Sequence, residues 1–219
     1  MNEQLSDFAR LLYGENYRQG RPKPLLSVRS VDQPNTHLLG SLLAPSSSLY
    51  TLLVDSPSSS ALLTLREDLD LESQLVSSLI NELILRISAT SIFIITPHRM
   101  QRSAIRQAIS NHSNADVSIT CDTVERMQGK EAQCVILCMM YRQREMLDNE
   151  LDFIYNRQRI NVSISRAQQL CILLTSQSLY NQPPLELFVN ENTRNAYNLL
   201  SNFISKSSIR SLDLHGNVK

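Results

Sequence analysis

The stretch QRINVSISRAQQLCILLTS, residues 158–176, decides how this chain is read. Its second half, QLCILLTS at 169–176, is an almost unbroken apolar run of strand length, the mark of a strand buried on both faces. Its first half places Arg159 and Arg166 seven residues apart, two turns of one helix, so that both share a face. A helix around 156–167 therefore leads straight into a buried strand. That joint is the repeating unit of a parallel α/β sheet.

The same alternation runs through the rest of the chain. Residues 70–87 carry Leu71, Leu75, Val76, Leu79, Ile80, Leu83, Ile84 and Ile87 at helical spacing with a wide apolar face. SIFIITP at 91–97 is a β-branched run that stops at proline, and residues 98–110 return to helical spacing through Met100, Ala104, Ile105, Ala108 and Ile109. DVSIT (116–120) and QCVILCMMY (133–141) read as further strands, and LYTLLVDS as another between serine clusters at 45–48 and 56–60. Upstream, Leu5, Phe8, Leu11 and Leu12 make one helical face, followed by a proline-bearing connection over about 18–48 without periodicity. Downstream, 191–206 is amphipathic through Ala196, Leu199, Leu200, Phe203 and Ile204. The expectation is an α/β parallel sheet with helices on both faces at 49–181, an N-terminal helix and connection at 1–48, and a helical tail at 182–219.

Composition narrows the chemistry. The formal net charge is zero, so no global field draws the chain to nucleic acid and any such binding must come from local clusters. No G-x-x-x-x-G-K-[ST] occurs, so nothing in the chain is built to cradle the phosphates of a nucleotide by itself. Cys121, Cys134, Cys138 and Cys171 lie in or beside apolar runs, form no C-x-x-C pair and have no histidine at ligand spacing. They are expected to be buried reduced thiols rather than metal ligands, in an intracellular, reducing compartment. No apolar stretch approaches the ~20 residues of a membrane span, and the N-terminus has no signal-type apolar region.

Three joints carry candidate chemistry. In TPHRMQR (96–102), Thr96 is a natural N-cap and Pro97 a natural N1 residue, so the first N–H groups of a helix would face an anion. Arg99, Arg102 and Arg106 follow at spacings of three and four, either as a solvated basic face or as contacts for nucleic-acid phosphates. In DTVERMQGKE (122–131), Asp122 and Glu125 have capping-box spacing, and Gln128 and Gly129 end the short helix before Glu131. Lys130 is not a phosphate-loop lysine, because the upstream glycine and following hydroxyl are missing. In the third joint, Asn161, Ser163, Ser165 and Ala167 are small or polar enough to let Arg166 approach another surface. An arginine so presented stabilises charge on a transferring γ-phosphoryl group. The alternative is a structural arginine paired with Glu131 or Asp152.

In order and spacing the three joints resemble motifs IV, V and VI of the second RecA-like domain of superfamily 1 helicases. The nearest likeness is to the group containing the nonsense-mediated-decay helicase and the replication helicase/nuclease. The family patterns TPY, T-V-D-x-x-Q-G-x-E and R-R-L-N-V-A-L-T-R-A-K stand here as TPHRMQ, TVERMQGKE and QRINVSISRAQ, with His98, Glu125, Gln158 and Gln168 as departures. The likeness covers essentially residues 4–176. It implies a RecA-like sheet in which Arg166 is the catalytic finger, with Gln128, Gly129, Glu131 and Arg159 on the nucleotide side. Thr96, Pro97, Arg99, Arg102 and Thr123 would lie near the nucleic-acid backbone. It further implies ATP and Mg2+, used only together with a first RecA-like lobe in cis or in trans, and single-stranded RNA or DNA as partner. The expected function is the C-terminal motor lobe of an ATP-dependent helicase, not competent for hydrolysis alone. The alternative is a non-catalytic module derived from one, binding nucleic acid or protein.

Overall fold

Every long apolar run becomes a strand. In chain order these are β1 (Leu49–Val54), β2 (Ser91–Thr96), β3 (Ser118–Thr123), β4 (Ala132–Met139) and β5 (Ala167–Ser176), with β6 (Ser208–Leu212) added at the end. They form one six-stranded sheet in the order β3-β2-β4-β5-β1-β6, and every pairing is parallel. The computed structural model describes residues 1–14, 23–25, 47–55, 65–86, 90–112, 116–140, 150–181 and 183–213. The expected connection at 18–48 and the serine cluster at 56–60 fall largely outside these.

The helices are α1 (Glu3–Tyr13), α2 (Leu65–Arg86), α3 (Arg99–Ala108), α4 (Val124–Met127), α5 (150–154), α6 (Arg157–Ser165), α7 (Gln177–Asn181) and α8 (Glu191–Lys206), with a 3-10 turn at Leu185–Phe188. Strand side chains alternate between two cores, as the period of two requires. On one face Val76, Leu79, Ile80 and Leu83 of α2 and Ile105 of α3 pack on Ile92, Ile94, Ile136 and Ile172. On the other, Leu5 and Phe8 of α1, Ile160 and Ile164 of α6 and Leu199, Leu200 and Phe203 of α8 cover Val135, Leu137 and Leu173. Covering on both sides is why β4 and β5 are continuous apolar runs rather than alternating ones.

Several boundaries differ from the sequence expectation. Helix α2 begins at Leu65, with Glu67 and Asp68 in its first turn, where carboxylates suit the free N–H groups. Strand β3 runs past Thr120 to Thr123, because Asp122 and Thr123 pair with Ile95 and Thr96 of β2. Thr96 stays in β2 and Pro97 follows it, so α3 is capped by His98 and not by Thr96. Helix α4 is capped by Thr123, one residue later than the Asp122–Glu125 spacing suggested.

The tail is no appendage. Phe203 of α8 meets Phe8 of α1 edge to face at 5.4 Å, and β6 pairs with β1 from Tyr50–Ser208 to Val54–Leu212. Side chains from residues 1–14 and 183–213 thus share a core with those of 49–181. All four cysteines are free and buried, and burial pushes the Cys121 thiol up to about 12. No helix among the described residues is long and apolar enough to cross a membrane.

Candidate functional site

A parallel sheet has two unlike rims, one where strands start and one where they end. Residues 124–131 carry the chain from the end of β3 back to the start of β4, and α6 carries it to the start of β5. Glu131 and Arg166 therefore stand immediately before two paired strands, with Ala132 opposite Ala167. Gln128, Gly129 and Lys130 lie beside them, all exposed. The starting rim thus gathers Arg166 with the whole 128–131 turn.

Arg166 is the C-cap residue of α6 and only partly buried. Its Nε donates to the Val162 carbonyl at 3.0 Å, one terminal nitrogen to the Lys130 carbonyl at 3.2 Å and the other to Ser165 Oγ at 3.0 Å. All three acceptors are neutral, and no ion pair to Arg166 occurs among the described residues. The alternative partners are otherwise engaged: Glu131 accepts from Gln168 at 2.8 Å and Asp152 from Asn190 at 3.1 Å. The guanidinium is fixed in direction, and no carboxylate among the described residues cancels its charge. The small residues serve packing instead of an approach: Ser163, Ser165 and Ala167 are buried, and both hydroxyls donate to carbonyls of α6 itself.

Gly129 takes φ 79°, the left-handed conformation that costs an L side chain strain, and a Cβ there would meet nothing within 4 Å. The turn is closed by the Lys130 N–H on the Met127 carbonyl at 3.2 Å. A contributor that the sequence did not reveal is Asn2. It caps α1, its N–H donates to the Gln168 carbonyl at 2.7 Å, and its side-chain amide donates to the Gln169 carbonyl at 2.7 Å and touches Ser48 Oγ. The Met1 amine lies by Glu131; burial lowers its pKa, with Glu131 acting against that.

Arg159 lies on the same side of α6 but is not brought into this group. It pairs with Glu125 at 2.5 Å, donates to the Phe153 carbonyl at 3.1 Å, and sits 3.7 Å from the centre of the Phe153 ring. Burial works to raise the Glu125 carboxyl, but its own backbone N–H and Arg159 hold it below the usual range. His98 completes this cluster, 2.9 Å from Glu150 and 5.0 Å from the Phe153 ring. Burial lowers the His98 pKa, Glu150 opposes that shift and Arg159 adds to it. Arg159 thus braces α4, α5 and α6 against one another, apart from the group around Arg166.

The ending rim holds Thr96, Pro97 and Thr123, all buried. Thr96 is fully buried and its hydroxyl donates to the His98 carbonyl at 3.2 Å, which holds the turn. Arg99 is exposed at the start of α3. Arg102 is not free: it meets Asp122 Oδ1 at 3.1 Å, while Arg106 meets Oδ2 at 3.1 Å and the Cys121 carbonyl at 2.8 Å. Burial alone would raise the Asp122 carboxyl, but the Thr123 N–H, Arg102 and Arg106 together hold it below its ordinary value. The role of Asp122 was invisible in the sequence, although its spacing of four from Arg126 was a signal.

A family model described as an AAA domain matches residues 1–178. Over 115 residues the chain is 24% identical to a protein named DNA replication ATP-dependent helicase/nuclease JHS1 of Arabidopsis thaliana, covering 52% of this chain and 8% of that one. Over 102 residues it is 29% identical to a protein named RNA helicase Mov10l1 of Homo sapiens, covering 45% of this chain and 8% of that one. The matched part is therefore under a tenth of either relative's length. Because the family match takes in the turns at 96 and 128 and the α6–β5 joint in one span, the chain belongs to the AAA domain family, as a helicase-related domain.

Proposed function

We propose that this chain is the C-terminal motor lobe of an ATP-dependent superfamily 1 helicase, with Arg166 as its arginine finger. The observation that carries this reading is the state of the Arg166 guanidinium, oriented by three neutral oxygens at an open rim with no carboxylate partner among the described residues. A structural arginine would be neutralised in the way Arg159 is by Glu125. A finger has to keep its charge for a ligand and lose little freedom on meeting it.

ATP with Mg2+, held in the main by a first RecA-like lobe, would supply a γ-phosphoryl group on which negative charge builds during transfer. Toward that group, Arg166 has five N–H donors and spends three of them internally, leaving two. The 128–131 turn offers exposed backbone beside it, and Gly129 leaves room where a side chain would stand. Glu131, steadied by Gln168, places a carboxylate at the same rim, suited to accept a hydrogen bond from water or a ribose hydroxyl. The chain has no phosphate loop, so it contributes to hydrolysis only with the other lobe present, in cis or in trans. Single-stranded RNA or DNA would run across the opposite rim, where Arg99 and the backbone around Pro97 and Thr123 lie. Relatives named as a DNA helicase and as an RNA helicase support a nucleic-acid partner of either kind.

The test is a protein with both lobes present, upstream or as a second polypeptide. Arg166→Ala should cut ATP turnover by about 10³–10⁵ while leaving binding of a fluorescent ATP analogue intact. Arg166→Lys should not restore it, since an ammonium lacks the planar fork. Turnover within a few-fold of wild type in Arg166→Ala would overturn the assignment.

A further inference from the structure

Asp122 stands as one carboxylate among three guanidiniums. Arg102 and Arg106 each meet one of its oxygens at 3.1 Å, and Arg126 comes within 3.9 Å. Three cations against one anion leave two positive charges over. Of the carboxylates described nearby, Glu125 is paired with Arg159, and Glu72 is buried beneath α3, where it accepts from Gln101. In a chain of zero net charge, a local surplus of this kind is what can attract a polyanion.

The surplus faces outward. Arg106 and Arg126 are 49% and 68% exposed, on α3 and α4 beside β3, the edge strand of the sheet. Arg106 uses Nε and one terminal nitrogen, so its other terminal nitrogen is open to a ligand. Arg126 approaches Asp122 beyond hydrogen-bond distance, and its donors meet no acceptor among the described residues. Two guanidiniums drawn to the same carboxylate are held close despite their repulsion, a preorganised pair of forks for phosphate oxygens.

We infer that Arg106 and Arg126, gathered by Asp122 at the β3 edge of the sheet, form a binding site for successive phosphates of a nucleic-acid strand, engaged without regard to base sequence. The site deepens the nucleic-acid reading above and rests on it. Neither Arg126 nor Asp122 was among the contacts expected from the motifs, and the phosphate track thereby extends from the strand ends around the free edge.

The experiment uses the whole 219-residue chain with fluorescein-labelled 20-nucleotide oligo-uridylate and oligo-deoxythymidylate, followed by anisotropy over a KCl series. The Arg106→Gln/Arg126→Gln variant should bind both more weakly, with a salt slope shallower by roughly 1.4, about 0.7 for each single-strand phosphate that is no longer neutralised. An Arg10→Gln/Arg194→Gln variant removes the same charge elsewhere on the surface and should keep the wild-type slope. An unchanged slope in the first variant, or an equal fall in both, overturns the site and leaves the helicase reading standing. Absence of wild-type binding to either oligonucleotide at low salt overturns both. Thermal melts of the two variants matching wild type would tie a shallower slope to charge rather than to unfolding.

Discussion

Asp122 and Arg166 show how differently a single charged residue can be handled on one sheet. Asp122 is saturated with partners, and its carboxyl is more acidic in the folded chain than in the unfolded one. Between those two pKa values the unfolded chain binds the extra proton, so stability must fall as pH falls. The contribution of Asp122 is complete above its unfolded value near about pH 4 and disappears as pH drops through the lower folded value. Asp122→Asn should therefore melt below wild type at neutral pH, and the two melting curves should draw together as pH falls below about 4. Parallel curves over that range would show that the arginine cluster contributes nothing to stability. Arg166 is the opposite case, fixed by three neutral acceptors and without a carboxylate partner among the described residues. Its prominence was legible in the sequence, because three ordered joints pointed at one arginine. The partners of Asp122 were not, since they depend on the register that sets the end of β3 against α3.

At the scale of the element, residues 124–131 are the segment whose local chemistry matters most. Four residues of helix and a left-handed glycine return the chain across the sheet and deliver Lys130 and Glu131 to the rim. Gly129→Ala meets no steric obstacle, so its cost is conformational alone, about 1–2 kcal/mol. Gly129→Asn should cost less, because asparagine tolerates that region. Urea denaturation with an unchanged m-value should report both, and a neutral Gly129→Ala would mean that the turn is not held at positive φ. The elements themselves were legible wherever apolar period and length agreed, as in β2, β4, β5 and α8. Their ends were less so. Thr96 reads locally as a cap, yet pairing with Thr123 keeps it in the sheet, and a competing ladder outweighs a local capping preference. The partners of Arg159 were hidden for a related reason: sequence spacing fixed its helix face, but not the Glu125 and Phe153 that occupy that face.

For the molecule as a whole, the least legible part was its closing strand. SIRSL has no apolar run, and it needs none, because an edge strand with one partner can leave its other side to solvent. Helix α8 brings it there and is anchored by Phe203, fully buried against Phe8. Phe203→Ala should cost about 3–5 kcal/mol, a loss to be read from guanidinium unfolding of the intact chain. A loss below about 1 kcal/mol would show that the tail is dispensable, against the shared core. The two ends of the described chain also leave the sheet on different sides. Met1 and Asn2 rest beside Gln168 and Glu131, whereas β6 finishes with Leu212 opposite Val54. A dye, bead or solid support fastened ahead of Met1 would crowd the neighbourhood of Arg166. A label carried instead by a side chain of β6, which finishes opposite Val54, would stand on the other rim and leave that neighbourhood clear for whatever docks on it.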